Sequence, residues 1–155
     1  QQTRSGTINL NTNGSFPDRI ALLAGCGLDS IRISFNSARD SLYRAYYRPK
    51  GYDFDDVRSS IKLSREKGLY TMINYLVFPG VTDQQEELEA LRGLIRDTRP
   101  HFIHLKNLCI DPQAYIRAMP LPPSKGIGMA EMMRTLEEEF PEVCYGYFNQ
   151  PAKRC

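Results

Sequence analysis

Amide, hydroxyl and cationic side chains recur at alternate positions in four short stretches of this sequence that are otherwise mainly apolar. Because successive side chains of a β-strand point to opposite faces, this alternation predicts a sheet with one apolar and one polar face. Leaving such groups buried without hydrogen-bond partners costs about 1–3 kcal/mol each, so the polar face is expected to meet water or a ligand. Its members are Asn9 and Asn11, then Arg32, Ser34 and Asn36, then Asn74, and last His104 and Lys106.

The charges on this polar face indicate which ligands it suits. It carries Arg32 and Lys106 and no carboxylate, which disfavours the paired carboxylic acids of glycosidases. It favours a ligand with an anionic group, held by cations and by amide and hydroxyl donors. Two other interpretations stay open. The polar side chains bond to one another, or they lie on the solvated face of an antiparallel sheet.

The stretches that carry these residues are predicted to be β-strands separated by helices. Strands are predicted at 7–12, 30–36, 70–77 and 102–108, and helices at about 39–47 and 126–140. Ser15 and Asp53 are predicted to cap two further helices, and Thr82 or Asp83 begins another. Alternating strands and helices predict the α/β class, with four consecutive βα units of a parallel partial (β/α) TIM-like barrel. Connections long enough for crossover helices disfavour the antiparallel alternative.

Several shorter motifs could serve either a ligand site or the structure of the fold. Gly14, after Asn13, permits a tight turn and a close approach of the backbone to a ligand, or simply forms an ordinary turn. Residues 78–83 end the third predicted strand, at the edge where parallel α/β folds place their sites. Three groups are expected to be structural: His101 and His104; Met129, Met132 and Met133; and Tyr43, Tyr46 and Tyr47.

Cysteine spacing and overall charge exclude several classes of protein. No CxxC or CxxxC pair occurs among Cys26, Cys109, Cys144 and Cys155, so spacing predicts no metal cluster. Cys26 and Cys109 are expected to be small buried side chains. A net charge of +2 predicts no nucleic-acid surface. The absence of a signal peptide or of an apolar run near the roughly 20 residues of a membrane span predicts a cytoplasmic protein.

The order of these segments resembles that of radical S-adenosylmethionine (SAM) enzymes. Residues 8–14, which end in Thr-Asn-Gly, and residues 29–36 resemble the third and fourth strands of that family. Residues 47–57 resemble its stretch in which an Arg precedes a Gly and an aromatic residue. Residues 74–83 and 102–110 resemble the fifth and sixth strands. The resemblance covers roughly residues 6–118, which suggests a barrel portion at 1–118 followed by a C-terminal helix and tail at 119–155.

The resemblance implies an activity and cofactors for a longer protein. The CxxxCxxC loop of the family, which binds a [4Fe–4S] cluster, and its Gly-Gly-Glu-like motif are absent from this sequence. The chain is therefore expected to be the back part of such an enzyme, similar to the pyruvate formate-lyase activase type. The longer oxidoreductase would cleave SAM reductively to a 5′-deoxyadenosyl radical that abstracts hydrogen. The isolated chain is expected to hold neither cofactor firmly and to be inactive.

The resemblance also implies roles for individual residues. Ser34 and Asn36 would face the ribose or methionine part of SAM, although many relatives have Asp where Asn36 stands. Arg48 would pair with the methionine carboxylate. Lys106 would line the cavity or bind an acidic substrate. The remaining cavity-lining residues would be Asn11, Asn13 and Asn74.

Other interpretations predict different behaviour. The chain could be a complete small α/β binding module, or part of an aldolase-like barrel with Lys106 as a Schiff-base lysine. A non-catalytic interaction domain would tolerate loss of Ser34 and Arg48. Whether the substrate is a protein or a small molecule stays open. If the chain is the back part of a longer enzyme, the edge of its first strand has lost its neighbour and is expected to promote self-association.

Overall fold

The computed structural model describes residues 6–120 and 124–146. Its strands form one parallel sheet in which spatial order follows chain order. They are β1 (Asn9–Thr12), β2 (Ser30–Phe35), β3 (Tyr70–Val77), β4 (Phe102–Asn107) and β5 (Cys144–Gly146). The helices are α1 (Pro17–Gly25), α2 (Asp40–Tyr47), α3 (Phe54–Glu66), α4 (Gln85–Thr98), α5 (Pro112–Ala118) and α6 (Met129–Glu139).

The parallel sheet confirms the predicted α/β fold and its four consecutive βα units. Two elements were not predicted from the sequence. α5 has only seven residues and lies among prolines, and β5 has only three residues at the far edge of the sheet. Both are too short to show a hydrophobic period. The division of the chain at residue 118 stays a prediction. In the described part of the chain, no helix is both long and apolar enough to cross a membrane.

Helix starts were predicted correctly at α3 and incorrectly at α1 and α4. Asp53 caps α3 through the amides of Asp55 and Asp56, and the Asp56 carboxylate accepts from the Asp53 amide at 2.9 Å. Ser15 does not cap α1: the helix follows Phe16 and starts with a proline, which has no amide to satisfy.

The predicted start of α4 at Thr82 or Asp83 is wrong because both side chains hold the preceding loop. The Thr82 hydroxyl accepts from the Phe78 amide at 2.8 Å, and the Asp83 carboxylate accepts from the Gly80 amide at 2.5 Å. The helix begins after Gln84. The prediction that Cys26 and Cys109 are buried is also wrong, since both thiols are exposed.

The two faces of the sheet differ as the alternation predicted. The apolar face carries buried side chains such as Ile33, Ile73 and Ile103, which form one core with residues of α1, α3, α4 and α6. The predicted packing roles of Met132 and Tyr43 are confirmed, because both are buried in this core. The opposite face carries the polar positions, since Ser34 pairs in register with Asn74, and Asn74 with His104.

A second apolar cluster covers the carboxyl end of the sheet. Its centre is Tyr115 of α5, which is fully buried and packs against Tyr46 and Phe78 with ring centroids 5.6 and 4.9 Å apart. Leu42 of α2 and Val81 of the loop after β3 complete its buried part, together with Met119. Helix α5 therefore joins α2 to the loop that follows β3.

The glycine of the first turn approaches protein rather than a ligand. Gly14 has a φ of +72°, and a Cβ added there would lie 2.9 Å from Cγ2 of Ile33. Its carbonyl accepts from the Ser60 hydroxyl of α3 at 2.7 Å. The close approach therefore seats the end of β1 between β2 and α3.

Replacing Gly14 with alanine is expected to lower the free energy of unfolding by at least about 2 kcal/mol, because left-handed strain adds to the collision with Ile33. Gly27→Ala is the matched control. Gly27 also has a positive φ, +93°, but a Cβ there would meet open space, so about 1 kcal/mol is expected from strain alone. Urea unfolding measures both, and equal losses would contradict the packing role of Gly14.

Candidate functional site

Rows of side chains cross the polar face from strand to strand. The spacing between neighbouring strands in a sheet is about 4.8 Å, so side chains in one row are near neighbours. The row nearest the amino ends of the strands joins Asn9, Ser30 and Tyr70, and the next runs from Asn11 through Arg32, Met72 and Phe102. The middle row runs from Ser34 through Asn74 to His104, and the upper row from Leu76 to Lys106. The rows thus bring several predicted site residues onto one surface.

Among the described residues, the middle row contains a direct contact between two predicted site residues. The Asn74 amide group donates to the Ser34 hydroxyl at 3.1 Å. The Asn74 carbonyl oxygen is buried and has no hydrogen-bond partner among the described residues. A buried acceptor without a partner costs about 1–3 kcal/mol. This pair therefore suits a bound molecule or water that donates a hydrogen bond.

Several polar side chains near the amino ends of the strands contact one another. The Ser30 hydroxyl donates to the Asn9 side chain at 2.9 Å, and Asn9 in turn contacts Asn11 at 3.5 Å. Arg32 lies 3.6 Å from the Met72 sulfur. The interpretation that polar residues bond to one another thus holds at this end of the sheet, whereas the Asn74 acceptor lies nearer the carboxyl end.

Two predicted site residues serve as hydrogen-bond donors to the protein itself. Asn36 is buried beyond β2, and its amide group donates to the Leu42 carbonyl of α2 at 3.0 Å. The Asn13 side chain accepts from the Ser15 amide at 3.2 Å and donates to the Tyr52 hydroxyl at 3.3 Å. These contacts fix the turns after β1 and β2.

Arg48 and Lys106 lie on the surface. Arg48 ends α2 in a left-handed conformation, with a φ of 48°, and its amide donates to the Arg44 carbonyl. Lys106 is exposed at the carboxyl end of β4. Of the predicted site residues, Ser34 and Asn74 are therefore in direct contact, whereas Arg48 lies at the end of α2 rather than on the sheet.

A tyrosine connects α2 to the strand that carries Ser34. The Tyr47 hydroxyl donates to the Ser34 carbonyl at 3.1 Å, and its ring stacks on Tyr43 at 4.8 Å. Burial, with Tyr46 and Tyr52 adding smaller contributions, raises the pKa of Tyr47 well above its ordinary value. The hydroxyl therefore stays protonated and keeps its hydrogen bond at all physiological pH values.

A buried carboxylate that the sequence analysis missed organises the loops above the site. Glu87 of α4 is fully buried and accepts from the Ser37 hydroxyl, the Ala38 amide at 2.7 Å and the Tyr75 hydroxyl at 3.0 Å. Arg39 pairs with it at 3.0 Å and also donates to the Val81 carbonyl. Helix α4, strand β3 and the loop after β2 are thereby joined at one carboxylate.

The sequence contains a signal for this carboxylate. Glu87 lies one position before Leu88 and four before Leu91, on the apolar stripe that α4 turns to the core. A charged residue on such a stripe must be paired when it is buried. Its partner could not be identified from the sequence, because Arg39 lies 48 positions away.

The described residues do not fit a [4Fe–4S] cluster. They contain no group of three or more His, Cys, Asp or Glu residues able to hold a metal. Cys26 follows α1, Cys109 follows β4, and Cys144 begins β5, so their thiols are exposed on different elements. Thiolates that ligate one cluster must converge on it.

Comparison with known proteins adds a family assignment. A sequence model described as the radical SAM superfamily matches residues 3–91. No significant match is found among curated proteins.

Matches among solved structures include two radical SAM methyltransferases. One, from Sphaerobacter thermophilus, has a TM-score of 0.58 and 15% identity over 92% of this chain and 41% of its own. The other, TsrM from Kitasatospora setae with cobalamin and a [4Fe–4S] cluster bound, has a TM-score of 0.48 and 20% identity over 64% of this chain. This chain covers 20% of that structure, so it spans less than half of either protein.

Replacing Glu87 with glutamine is expected to lower the free energy of unfolding by about 2–4 kcal/mol. In either orientation the glutamine amide group would face a fixed donor, the Ala38 amide or the Arg39 guanidinium. Glu86→Gln is the matched control, because Glu86 is the exposed neighbour in the same turn and should change stability by less than about 0.5 kcal/mol. Urea unfolding measures both, and a loss from Glu87→Gln no larger than that of the control would contradict the network.

The difference in stability between the native protein and Glu87→Gln is expected to depend on pH. Burial raises the pKa of Glu87 above its ordinary value of 4.5, opposed by hydrogen bonds from Ser37, Ala38 and Tyr75 and by Arg39. Between the ordinary and the raised pKa, the folded state binds more protons than the unfolded state, so this group's contribution to stability falls as pH rises through that window. The unfolding free energy of the native protein minus that of Glu87→Gln should therefore decrease as pH rises from 4.5. A difference that increases would contradict the raised pKa.

Proposed function

This chain belongs to the radical SAM superfamily, and on that premise we propose that its polar sheet face is the part of a radical SAM active site that binds SAM and faces the substrate. The single observation that carries the proposal is the Ser34–Asn74 pair, with its buried acceptor on Asn74. Asn74 lies in the carboxyl half of β3, and parallel α/β folds bind ligands at the carboxyl ends of their strands.

The residues present fit the polar parts of SAM. The Asn74 carbonyl oxygen can accept from a ribose hydroxyl or the methionine ammonium group, and the Ser34 hydroxyl can donate or accept beside it. In this proposal Asn36 acts indirectly, because its side chain already holds α2 through the Leu42 carbonyl. Arg48 would bind the methionine carboxylate only if its exposed side chain extends over the sheet.

The remaining predicted residues would form the rim of the same cavity. Asn11 and Asn13 would border it at the end of β1. Lys106, exposed at the end of β4, would attract an anionic group of the substrate. An aldolase-like role for Lys106 is not favoured. A Schiff-base lysine is activated by desolvation or by a neighbouring cation, whereas the Lys106 side chain is exposed to solvent.

The cysteines of the described residues do not fit a cluster, so we propose that this chain supplies binding and shielding rather than cluster ligation. SAM supplies the radical chemistry when a [4Fe–4S] cluster held elsewhere reduces it, and the protein orients the reacting groups and excludes water. Assignment to an activating enzyme of the pyruvate formate-lyase activase type remains a finer proposal. It is supported by the order of segments between residues 8 and 110.

The gene region upstream of Gln1 tests the family role. An in-frame CxxxCxxC motif after an apolar strand is expected there. The extended protein, reconstituted anaerobically with iron and sulfide, should release 5′-deoxyadenosine from SAM under reducing conditions. The isolated chain should show no micromolar SAM binding by calorimetry. A start codon directly before Gln1 with no such motif, or tight SAM binding by the isolated chain, would reject this division of labour.

The Asn74 role has a separate test in the extended protein. Asn74→Ala should weaken SAM binding about tenfold, which corresponds to about 1.4 kcal/mol and to one lost hydrogen bond in a partly buried site. Asn107→Ala is the control, because Asn107 is an exposed asparagine of β4 that pairs in register with Val77 on the other face. Equal SAM affinities of the two variants by calorimetry would contradict the role of Asn74.

A further inference from the structure

A cavity of about 510 Å³ lies where α3 and α4 end and β4 begins. Three arginines line it, Arg65 from the end of α3 and Arg96 and Arg99 from the end of α4, together with His101 just before β4. Helices α3 and α4 lead into the amino ends of β3 and β4, so the cavity lies at the opposite end of the sheet from the proposed SAM site. Its lining residues come from positions 65 to 142 and include none of β1 or α1.

The His101 ring presents a hydrogen-bond donor to Arg65. Its Nδ1 accepts from the Thr71 amide at 2.9 Å, and the ring stacks on Tyr70 with centroids 4.7 Å apart. Burial and the charge of Arg65 lower the pKa of His101, so the ring is neutral, and its proton lies on Nε2 because Nδ1 is the acceptor. The Arg65 guanidinium contacts Nε2 and lies 3.2 Å from Nδ1, whose one lone pair the Thr71 amide takes. Two donors therefore meet without an acceptor.

Two of the guanidinium groups at this cavity lack an anionic partner among the described residues. The Nε of Arg65 is buried and has no hydrogen-bond partner there. Glu139, a carboxylate of the lining, pairs instead with Arg92 and, at 3.6 Å, with Arg96. In the same part of the chain neither Arg65 nor Arg99 forms an ion pair with a carboxylate. The cavity therefore has unused positive charge and unused N–H donors.

We propose that this cavity binds a phosphate group, either as free phosphate or as the monoester of a small molecule. The inference goes beyond the proposed function and is independent of it. A phosphate oxygen would accept from Nε2 of His101 and from the guanidinium of Arg65, and so supply the acceptor that both donors lack. Arg99, which is exposed, would add a second guanidinium from the solvent side. Guanidinium groups suit phosphate because they offer several N–H donors in a fixed arrangement.

The charge and size of the cavity favour phosphate over a carboxylate. A phosphate monoester carries about −1.5 to −2 charges at pH 7, which matches the two guanidinium groups without a partner, whereas a carboxylate carries one. Glu142, the other acidic residue of the lining, is exposed, so water can solvate its charge. The volume lies within the range of small-molecule sites, about 300–1,000 Å³. Ile95, Pro100 and Phe140 supply an apolar wall for the rest of an ester.

The imidazole NMR signals report on this site directly, because the chain has two histidines. Inorganic phosphate and phenyl phosphate, titrated separately at constant pH and low salt, should shift the His101 signals saturably, with a dissociation constant of about 1 mM or lower. His104, on the polar face of the sheet, is the internal control, and its signals should not move. Tighter binding of phenyl phosphate assigns the site to an ester, and otherwise it is assigned to free phosphate. No saturable shift of His101 with either compound, or an equal shift of His104, would overturn the proposal.

Arg99→Gly removes one guanidinium without straining the backbone, because Arg99 has a left-handed φ of 47° that glycine adopts readily. It should raise the dissociation constant for phosphate, followed at His101, about fivefold. Arg48→Gly is the matched control. Arg48 has a φ of 48° and lies before α3, whereas Arg65 lies at the end of that helix. The control should bind phosphate within about twofold of the native chain. Native affinity in Arg99→Gly, or an equal loss in both variants, would overturn the proposal.

Discussion

The buried carboxylate of Glu87 is the interaction on which the carboxyl end of this sheet depends. Burying a charge in a protein interior costs several kcal/mol unless partners replace its water. Here a hydroxyl from the loop after β2, a main-chain amide from the same loop and a hydroxyl from β3 do so, together with the Arg39 guanidinium. These partners come from the loop after β2 and from β3, so satisfying one charge holds both segments to α4.

This ordering extends outward from the carboxylate. Arg39 also donates to the side chain of Gln84, which in turn donates to the Gly80 carbonyl and to the Ser124 hydroxyl. The Ile127 amide donates to the Asp83 carbonyl at 2.8 Å, and a Cβ on Gly126 would collide with Asp83. The segment before α6 is thereby tied to the loop after β3. The middle row of the polar face thus lies below loops whose positions are fixed by hydrogen bonds rather than by apolar packing alone.

Polar side chains on the sheet differ in whether other side chains satisfy their hydrogen bonds. Near the amino ends of the strands, Ser30 and Asn9 satisfy each other. Nearer the carboxyl ends, Asn74 bonds to Ser34 with its donor and leaves its acceptor without a partner among the described residues. The Asn74 acceptor, in the carboxyl half of β3, is a position where a polar ligand that donates a hydrogen bond would gain from binding.

The sequence by itself determined the features that depend on neighbours along the chain. Alternation in 30–36 and 102–108 identified the polar face, because side-chain direction in a strand has a strict period of two. Asp53 was identified as a cap because its partners lie within three residues. Only the tertiary structure decided the rest: that Gly14 is required by Ile33, that Asn36 holds α2, and that Glu87 meets Arg39. These contacts depend on how the chain folds in three dimensions. The periodic pattern of side chains within a single strand or helix does not show which residues of other segments it will contact. Ser15 and Cys26 illustrate the same limit, because a residue type suggests a cap or a buried position and only the surrounding packing determines whether that role is filled.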